Sequence, residues 1–213
     1  FRMDVRELAD SISRDRSEGL IPFVVVASAG TTNTGAIDPL NEIADLCETE
    51  QMWLHVDGAY GASLALSQAH RGLISGIERA DSIAWDAHKW LFQTYGCGIV
   101  FTRDKSHLAA SFHALPEYLR DAAAAEDTFN FWDYGSEQTR PARALKLWLT
   151  LQVLGTRQIG QMIDHGVQLA EWAEDELHRH AHWQIVSPAQ LGIVTFRYAP
   201  PGVIDECATG SAS

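Results

Sequence analysis

The chain has 213 residues, of which 46% are hydrophobic and 21% are charged, and this composition excludes a disordered or fibrous chain. Its net charge is -12, from 16 basic and 28 acidic residues, which argues against a nucleic-acid partner because phosphate binding needs a basic surface. The three cysteines show neither metal-ligand spacing nor a disulfide framework, and no apolar run reaches the roughly 18 residues of a membrane span. We therefore expect a cytoplasmic protein with no metal site and no membrane partner.

The first half of the chain alternates helical patterns with short apolar runs. Helical patterns cover residues 4–16 and 38–50, and Asp38 is predicted to be the N-cap of the second helix, with Pro39 in its first position. Apolar runs typical of strands lie at residues 22–28, 53–57, 82–85 and 97–102, and the first of them predicts a strand buried on both faces. Strand, helix and strand in this order predict an α/β fold with a mainly parallel sheet.

The second half of the chain has a different pattern. Two helical stripes are followed by two predicted strands joined by a turn, at residues 140–155, 158–180, 183–187 and 192–198. We place a boundary near Gly155, so that residues 1–155 are the C-terminal part of a large domain. Residues 156–213 are then a connecting helix and the start of a small α+β domain. The large aromatic residues of this half are expected in the core: Trp148, Trp172 and Trp183.

Polar motifs stand where the predicted elements end. They are Ala29-Gly30-Thr31-Thr32, His55-Val56-Asp57-Gly58-Ala59-Tyr60-Gly61, Asp86-Ala87-His88-Lys89-Trp90 and Pro116-Glu117-Tyr118-Leu119. An open parallel sheet binds ligands at the carboxyl ends of its strands. An acid such as Asp57 at a buried strand end is costly unless it pairs with a cation, and a lysine such as Lys89 can form a Schiff base with a carbonyl. Pyridoxal phosphate would satisfy both residues, whereas each taken alone is more often a turn cap or a surface charge.

Together, these motifs resemble the group II pyridoxal-phosphate-dependent decarboxylases, the family of the aromatic-amino-acid, histidine and glutamate decarboxylases. The resemblance runs from about Met3 to Tyr198. It implies the aspartate-aminotransferase-like fold (fold type I), with helices on both faces of a mainly parallel sheet and a small C-terminal domain. It also implies pyridoxal 5'-phosphate as cofactor, an L-amino acid as substrate, an amine and carbon dioxide as products, and a homodimer with a shared active site.

The resemblance assigns roles to individual residues. It makes Lys89 the lysine that carries the cofactor and Asp57 the partner of the pyridine nitrogen. It places Ala59 against one face of the cofactor ring, Thr32 near the ring hydroxyl, and His88 near the phosphate.

Two residues depart from the family pattern. Gly58 stands where many members have alanine, which we expect to make the strand end more mobile. Asp86, also expected near the phosphate, stands where asparagine is common. Because a carboxylate would repel a phosphate, Asp86 is expected to act only through its backbone or to point away.

Tyr118 bears on the choice of reaction. In the resembling family, a tyrosine at this place lies on a mobile loop, reaches the neighbouring subunit's site and donates a proton to the substrate's α-carbon after carbon dioxide leaves. Its loss is tied in the family to oxidative deamination, so its presence favours decarboxylation. The alternative for this residue is that it only packs under a loop.

Two other functions stay open. One is different pyridoxal-phosphate chemistry, as in an aldehyde synthase, aminotransferase or lyase. The other is a truncated, inactive copy that acts only as a dimerisation partner. The chain begins at Phe1 in mid-pattern, and the resemblance places the family's ring-stacking histidine and phosphate loop upstream of it. We therefore expect an internal fragment that binds the cofactor poorly by itself.

Overall fold

The computed structural model describes residues 1–112 and 130–200. The helices of the described chain are α1 (Val5–Ser17), α2 (Leu40–Glu50), α3 (Lys105–Phe112) and α4 (Arg143–His178). The strands are β1 (Val24–Ser28), β2 (Trp53–Asp57), β3 (Ser82–Asp86), β4 (Gly98–Thr102), β5 (Trp183–Gln190) and β6 (Ile193–Tyr198). Short 3-10 turns lie between β2 and β3 and before α4, at Gly61–Leu66, Arg71–Ile74, Ile77–Arg79 and Phe131–Tyr134.

The larger sheet has the strand order β1-β2-β3-β4. β1, β2 and β3 are parallel to one another, and β4 returns antiparallel to β3. The α/β fold with a mainly parallel sheet is thereby confirmed. Because parallel strands end at the same edge, the segments that follow β1, β2 and β3 meet there. A separate antiparallel hairpin is formed by β5 and β6.

One face of the larger sheet carries the core. α2 packs on β1 and β2, and the largest fully buried side chains include Ile43, Leu54 and Val56. In β1 the burial alternates, since Val25 is buried and Val26 is 53% exposed. The sequence predicted that both faces of β1 are buried, but within the described residues only one face is.

Asp38 is not the N-cap of α2, contrary to the sequence-based prediction. The cap is Pro39, without a side-chain hydrogen bond, and the carboxylate of Asp38 accepts hydrogen bonds from the backbone N–H of Ser28 at 2.7 Å and of Met3 at 2.8 Å. Because Asp38 is buried, its carboxylate needs hydrogen-bond donors, and the backbone N–H groups of two distant segments supply them in place of the first turn of α2. Asp38 thus ties the start of the chain to the end of β1.

α4 consists of two helices, as expected, which meet at a kink at Gly155, whose φ is 72° and ψ 160°. Its inward face includes Ile159 and Ile163, both fully buried. The prediction that the three tryptophans are core residues is wrong, because they are 55%, 62% and 37% exposed at Trp148, Trp172 and Trp183. Residue type predicted their burial, but for Trp148 and Trp172 helical phase decides which side of α4 faces the core, and Trp183 stands at the start of β5. The domain division near Gly155 stays a prediction.

Among the described residues, no helix is both long enough and apolar enough to cross a membrane.

Candidate active site

The carboxyl edge of the sheet brings two of the polar motifs together. Asp57 ends β2 and Asp86 ends the neighbouring strand β3. Asp57 is paired with Ala84, two residues before Asp86, so the two carboxylates project from the same face of the sheet. Beyond the strands, the backbone N–H of Asp86 donates to the carbonyl of Ala59 at 3.1 Å, and that of Gly58 donates to Ala84 at 3.0 Å. The two motifs are therefore held in register by backbone hydrogen bonds.

Lys89 lies in the turn that follows β3. Its backbone N–H donates to the carbonyl of Asp86 at 3.0 Å, and its Nζ lies 3.0 Å from Oδ2 of the Asp86 carboxylate. The Lys89 side chain is 44% exposed, so its amine is accessible from outside the protein. The side chain of Asp86 is directed to the amine, and the expectation that it does not face the phosphate stays a prediction.

His88 is oriented by the segment that follows Lys89. Its Nδ1 accepts a hydrogen bond from the backbone N–H of Cys97 at 3.2 Å, so the neutral ring carries its hydrogen on Nε2. Nε2 lies 3.7 Å from the Asp86 carboxylate, and the ring packs edge-on against Tyr95 with the centroids 5.0 Å apart. The imidazole is thus fixed on three sides.

Lys146 of α4 holds the loop after Lys89, a role that the sequence did not suggest. Its Nζ donates to the carbonyl oxygens of Thr94 at 2.7 Å and Tyr95 at 3.1 Å. Because 51 residues separate Lys146 from Tyr95, no local pattern links them.

Asp57 is exposed, and its Oδ1 accepts a hydrogen bond from the backbone N–H of Ala59 at 3.1 Å. A carboxylate can accept about four hydrogen bonds, so acceptor positions remain for a further donor. Ala59 is half-buried beside it. Gly58 is buried, and a Cβ added there would lie 2.8 Å from Cβ of Ala62. The glycine therefore makes room for Ala62, which gives it a packing role that we had not expected.

The threonines of the loop after β1 differ in what they do. The Thr31 hydroxyl pairs with that of Thr34 at 2.9 Å and accepts from the backbone N–H of Ala36 at 3.1 Å. Thr32 is exposed. The first threonine therefore stabilises the loop, and the contact of Thr32 with the cofactor stays a prediction. Tyr118 lies outside the described residues.

The chemistry of this edge fits pyridoxal phosphate. The cofactor has an aldehyde, which an accessible primary amine can bind, and a ring nitrogen, which a carboxylate with free acceptor positions can hold. Asp57 supplies the carboxylate at the end of β2, and Lys89 supplies the amine in the turn after the neighbouring parallel strand β3.

Comparison with known sequences settles the family. Residues 1–199 match the family described as "Pyridoxal-dependent decarboxylase conserved domain". The chain belongs to this family. Its cofactor is pyridoxal 5'-phosphate. The resemblance predicted from the motifs is thereby confirmed.

Several relatives and solved structures resemble the chain over most of its length. It is 49% identical to an aromatic-L-amino-acid decarboxylase from Bacillus atrophaeus, with 94% of this chain and 42% of the relative covered. It is 36% identical to tyrosine decarboxylase 2 from Narcissus pseudonarcissus, with 91% and 39% covered. The structure of Oryza sativa TDC with PLP and tryptamine superposes with a TM-score of 0.87 at 31% identity, over 92% of this chain and 40% of that one. The chain thus spans about two fifths of the length of these proteins.

Proposed function

We propose that the protein carrying this sequence decarboxylates an L-amino acid to the corresponding amine and carbon dioxide. The observation that carries the proposal is the placement of Asp57 and the Asp86–Lys89 turn at one carboxyl edge of a parallel sheet, in a chain of the pyridoxal-dependent decarboxylase family. We further propose that it is a cytoplasmic homodimer, because the family resemblance implies an active site shared between subunits.

Each residue has a separate task in this proposal. When bound, pyridoxal phosphate supplies an aldehyde for covalent attachment and a ring that accepts electrons from a bond broken at the substrate's α-carbon. The amine of Lys89 is the attachment point, and the neighbouring carboxylate of Asp86 orients it from 3.0 Å. The carboxylate of Asp57 holds a proton at the ring nitrogen by a charge-assisted hydrogen bond. His88, with its hydrogen on Nε2, can donate to a phosphate oxygen.

Aromatic amino acids are the substrate class we propose to test first. The 49% identical relative is named as an aromatic-L-amino-acid decarboxylase, and two plant relatives are named for tyrosine and tryptophan. Other relatives are named for acidic amino acids and for L-2,4-diaminobutyrate, at 35% and 37% identity. These two classes are therefore the comparison substrates.

An aldehyde synthase is the second candidate reaction. A solved 4-hydroxyphenylacetaldehyde synthase from Rhodiola rosea superposes with a TM-score of 0.84 at 28% identity. Since decarboxylases and this synthase share the fold, backbone similarity alone does not separate the two reactions. The discriminating residue in our proposal is Tyr118.

The attachment of the cofactor is tested by chemical labelling. The protein is loaded with pyridoxal phosphate, reduced with borohydride and digested, and the labelled peptide is identified by mass spectrometry. We expect the label on Lys89. The other two lysines of the chain are the internal controls: Lys105 begins α3, and the amine of Lys146 is already engaged by three oxygen acceptors. A label on either of these, or a Lys89→Arg variant that is labelled as well as the wild type, would refute the assignment.

A further inference from the structure

The turn of the β5–β6 hairpin lies against all three described polar motifs. β5 ends at Gln190 and β6 begins at Ile193, so Leu191 and Gly192 form the turn. We call these two residues the hairpin turn. Leu191 is 3% exposed although it is at the tip of a hairpin, a place that is normally exposed to water. The turn is therefore inserted into the protein.

Leu191 contacts the loop after β1. A Cβ added at Gly30 would lie 2.8 Å from Cδ1 of Leu191, so the Leu191 side chain lies directly against the backbone of Gly30. Leu191 itself has a φ of 57°, in the left-handed region that non-glycine residues rarely adopt. Such a conformation persists where the surrounding structure holds it, and here the buried side chain does so.

Gly192 contacts the other two motifs. A Cβ added there would lie 2.7 Å from the hydroxyl of Tyr60 and 3.4 Å from Cζ2 of Trp90. Burial raises the pKa of the Tyr60 hydroxyl, and the nearby backbone of Gly192 partly opposes that rise. The rings of Tyr60 and Trp90 are stacked, with centroids 4.4 Å apart and planes 10° from parallel. The two rings and the turn therefore form one packed unit.

Each residue that the hairpin turn contacts lies within three positions of a residue of the candidate site. Gly30 is two positions before Thr32, Tyr60 is three positions after Asp57, and Trp90 directly follows Lys89. Displacing the hairpin turn would therefore disturb all three segments together. Backbone hydrogen bonds also join the segments directly, from Gly61 to the carbonyl of Ala29 at 3.0 Å and from Asp86 to that of Ala59 at 3.1 Å, and the turn adds a contact to one residue of each segment.

We propose that the hairpin turn is a positioning element for the cofactor site, which sets Lys89, Asp57 and the loop of Thr32 relative to one another. Leu191, Tyr60 and Trp90 are its positioning residues, and none of them is a catalytic residue. One part of the inference, that the hairpin turn controls cofactor affinity, rests on the proposed function. Its structural part, the coupling of three segments, can be measured without cofactor.

The first test compares Leu191→Ala with a matched control, Ile74→Ala. Both residues are 3% exposed aliphatic side chains, but Ile74 lies in a 3-10 turn outside the three motifs. Hydrogen exchange of the protein without cofactor is followed in residues 29–34, 57–62 and 86–92, with α2 as the internal reference. We expect Leu191→Ala to accelerate exchange in all three segments relative to α2, and Ile74→Ala not to. Equal effects of both variants, or a change confined to the hairpin, would overturn the proposal.

The second readout is the dissociation constant of pyridoxal phosphate, measured by absorbance titration well below the melting temperature. Loss of preorganisation by Leu191→Ala should raise it roughly tenfold, which corresponds to about 1.4 kcal/mol. Leu191→Met, which refills the space, should restore it, and Ile74→Ala should leave it unchanged. A Leu191→Ala variant with wild-type affinity would overturn the cofactor-positioning role. If the wild type takes no label at Lys89, the proposed function fails instead, while the exchange experiment still decides the coupling.

A double-mutant test isolates the contact between Gly192 and Tyr60. Gly192→Ala should impair cofactor binding and accelerate exchange, because its Cβ meets the Tyr60 hydroxyl and the stack on Trp90 keeps that ring from moving aside. Tyr60→Phe removes the oxygen in question, so Gly192→Ala should be less damaging in that background than in the wild type. Strictly additive effects would show that the two residues are not coupled and would contradict the proposed packing unit.

Discussion

Replacing Gly160 by alanine tests how closely α4 is packed on the segment that follows β2. Gly160 is buried on α4 and faces the end of the 3-10 turn Gly61–Leu66. A Cβ added at Gly160 would lie 3.1 Å from the carbonyl carbon of Leu66 and closer still to its oxygen, inside the distance that Cβ atoms keep from backbone. Because the opposing atoms are main-chain, no side-chain rotation can relieve the contact, and the helix has to move.

Two effects of opposite sign decide the magnitude. Alanine is favoured over glycine in a helix interior by about 1 kcal/mol. Overpacking of a buried contact costs about 1–3 kcal/mol, and the upper part of that range applies where backbone must shift. The hydrogen bond between Ser67 and Asp164, one turn further along α4, would be stretched as well. We therefore expect a net loss in the free energy of unfolding of about 1–2 kcal/mol.

The assay is urea or thermal unfolding of the variant beside wild type and a control, Gly72→Ala. No heavy atom lies within 4 Å of a Cβ added at Gly72, so this control should change the free energy of unfolding by less than about 0.5 kcal/mol. For a chain of this size, the melting temperature of Gly160→Ala should fall by about 3–6 °C. A variant at least as stable as the wild type would show that α4 is not packed so closely, and helix propensity would then have outweighed the contact.

Three further predictions concern charge and chemistry. Burial opposes ionisation of Asp164, but hydrogen bonds from Ser67 and His70 outweigh it and lower the pKa of that carboxyl. The stability that Asp164 contributes is therefore complete above the pKa of the unfolded chain, near ~4, and is lost as pH falls through the folded pKa. Asp164→Asn should flatten the acid side of a curve of melting temperature against pH, and an unaltered acid side would contradict this. Asp57→Asn should retain pyridoxal phosphate but lose roughly 10²-fold or more in kcat in an amine-release assay, because the charge at the ring nitrogen is lost; a near-normal kcat would refute its role. Tyr118→Phe removes a proton donor and keeps the ring, so in air carbon dioxide should still be released, with less amine and more of the aldehyde and ammonia that form when dioxygen oxidises the substrate and is itself reduced to hydrogen peroxide; an unchanged product ratio would make Tyr118 a packing residue.

Much of the sheet and the order of the motifs could be predicted from the sequence. Short apolar runs predicted β1 to β4 within one or two residues, because a continuous apolar run is a local signal in the sequence. The meeting of the segments after β2 and β3 followed from a general rule, since parallel strands end at a shared edge. Asp57 and Lys89 could be selected because they occur together, in the order of motifs that resembles the family, whereas neither residue is distinctive alone. Their roles stay predictions until the labelling and substitution experiments are done.

Tertiary structure decided the contacts between distant segments. Asp38 was predicted from its neighbours to cap α2, but it accepts hydrogen bonds from Met3 and Ser28, which only the folded chain brings near. The loop after Lys89 is held by Lys146, and the hairpin turn is inserted against Gly30, Tyr60 and Trp90, for the same reason. Local patterns report the backbone conformation of a few consecutive residues. Which buried donors, acceptors and ring faces meet depends on how whole elements pack, and that is set by the sum of many weak contacts across the core.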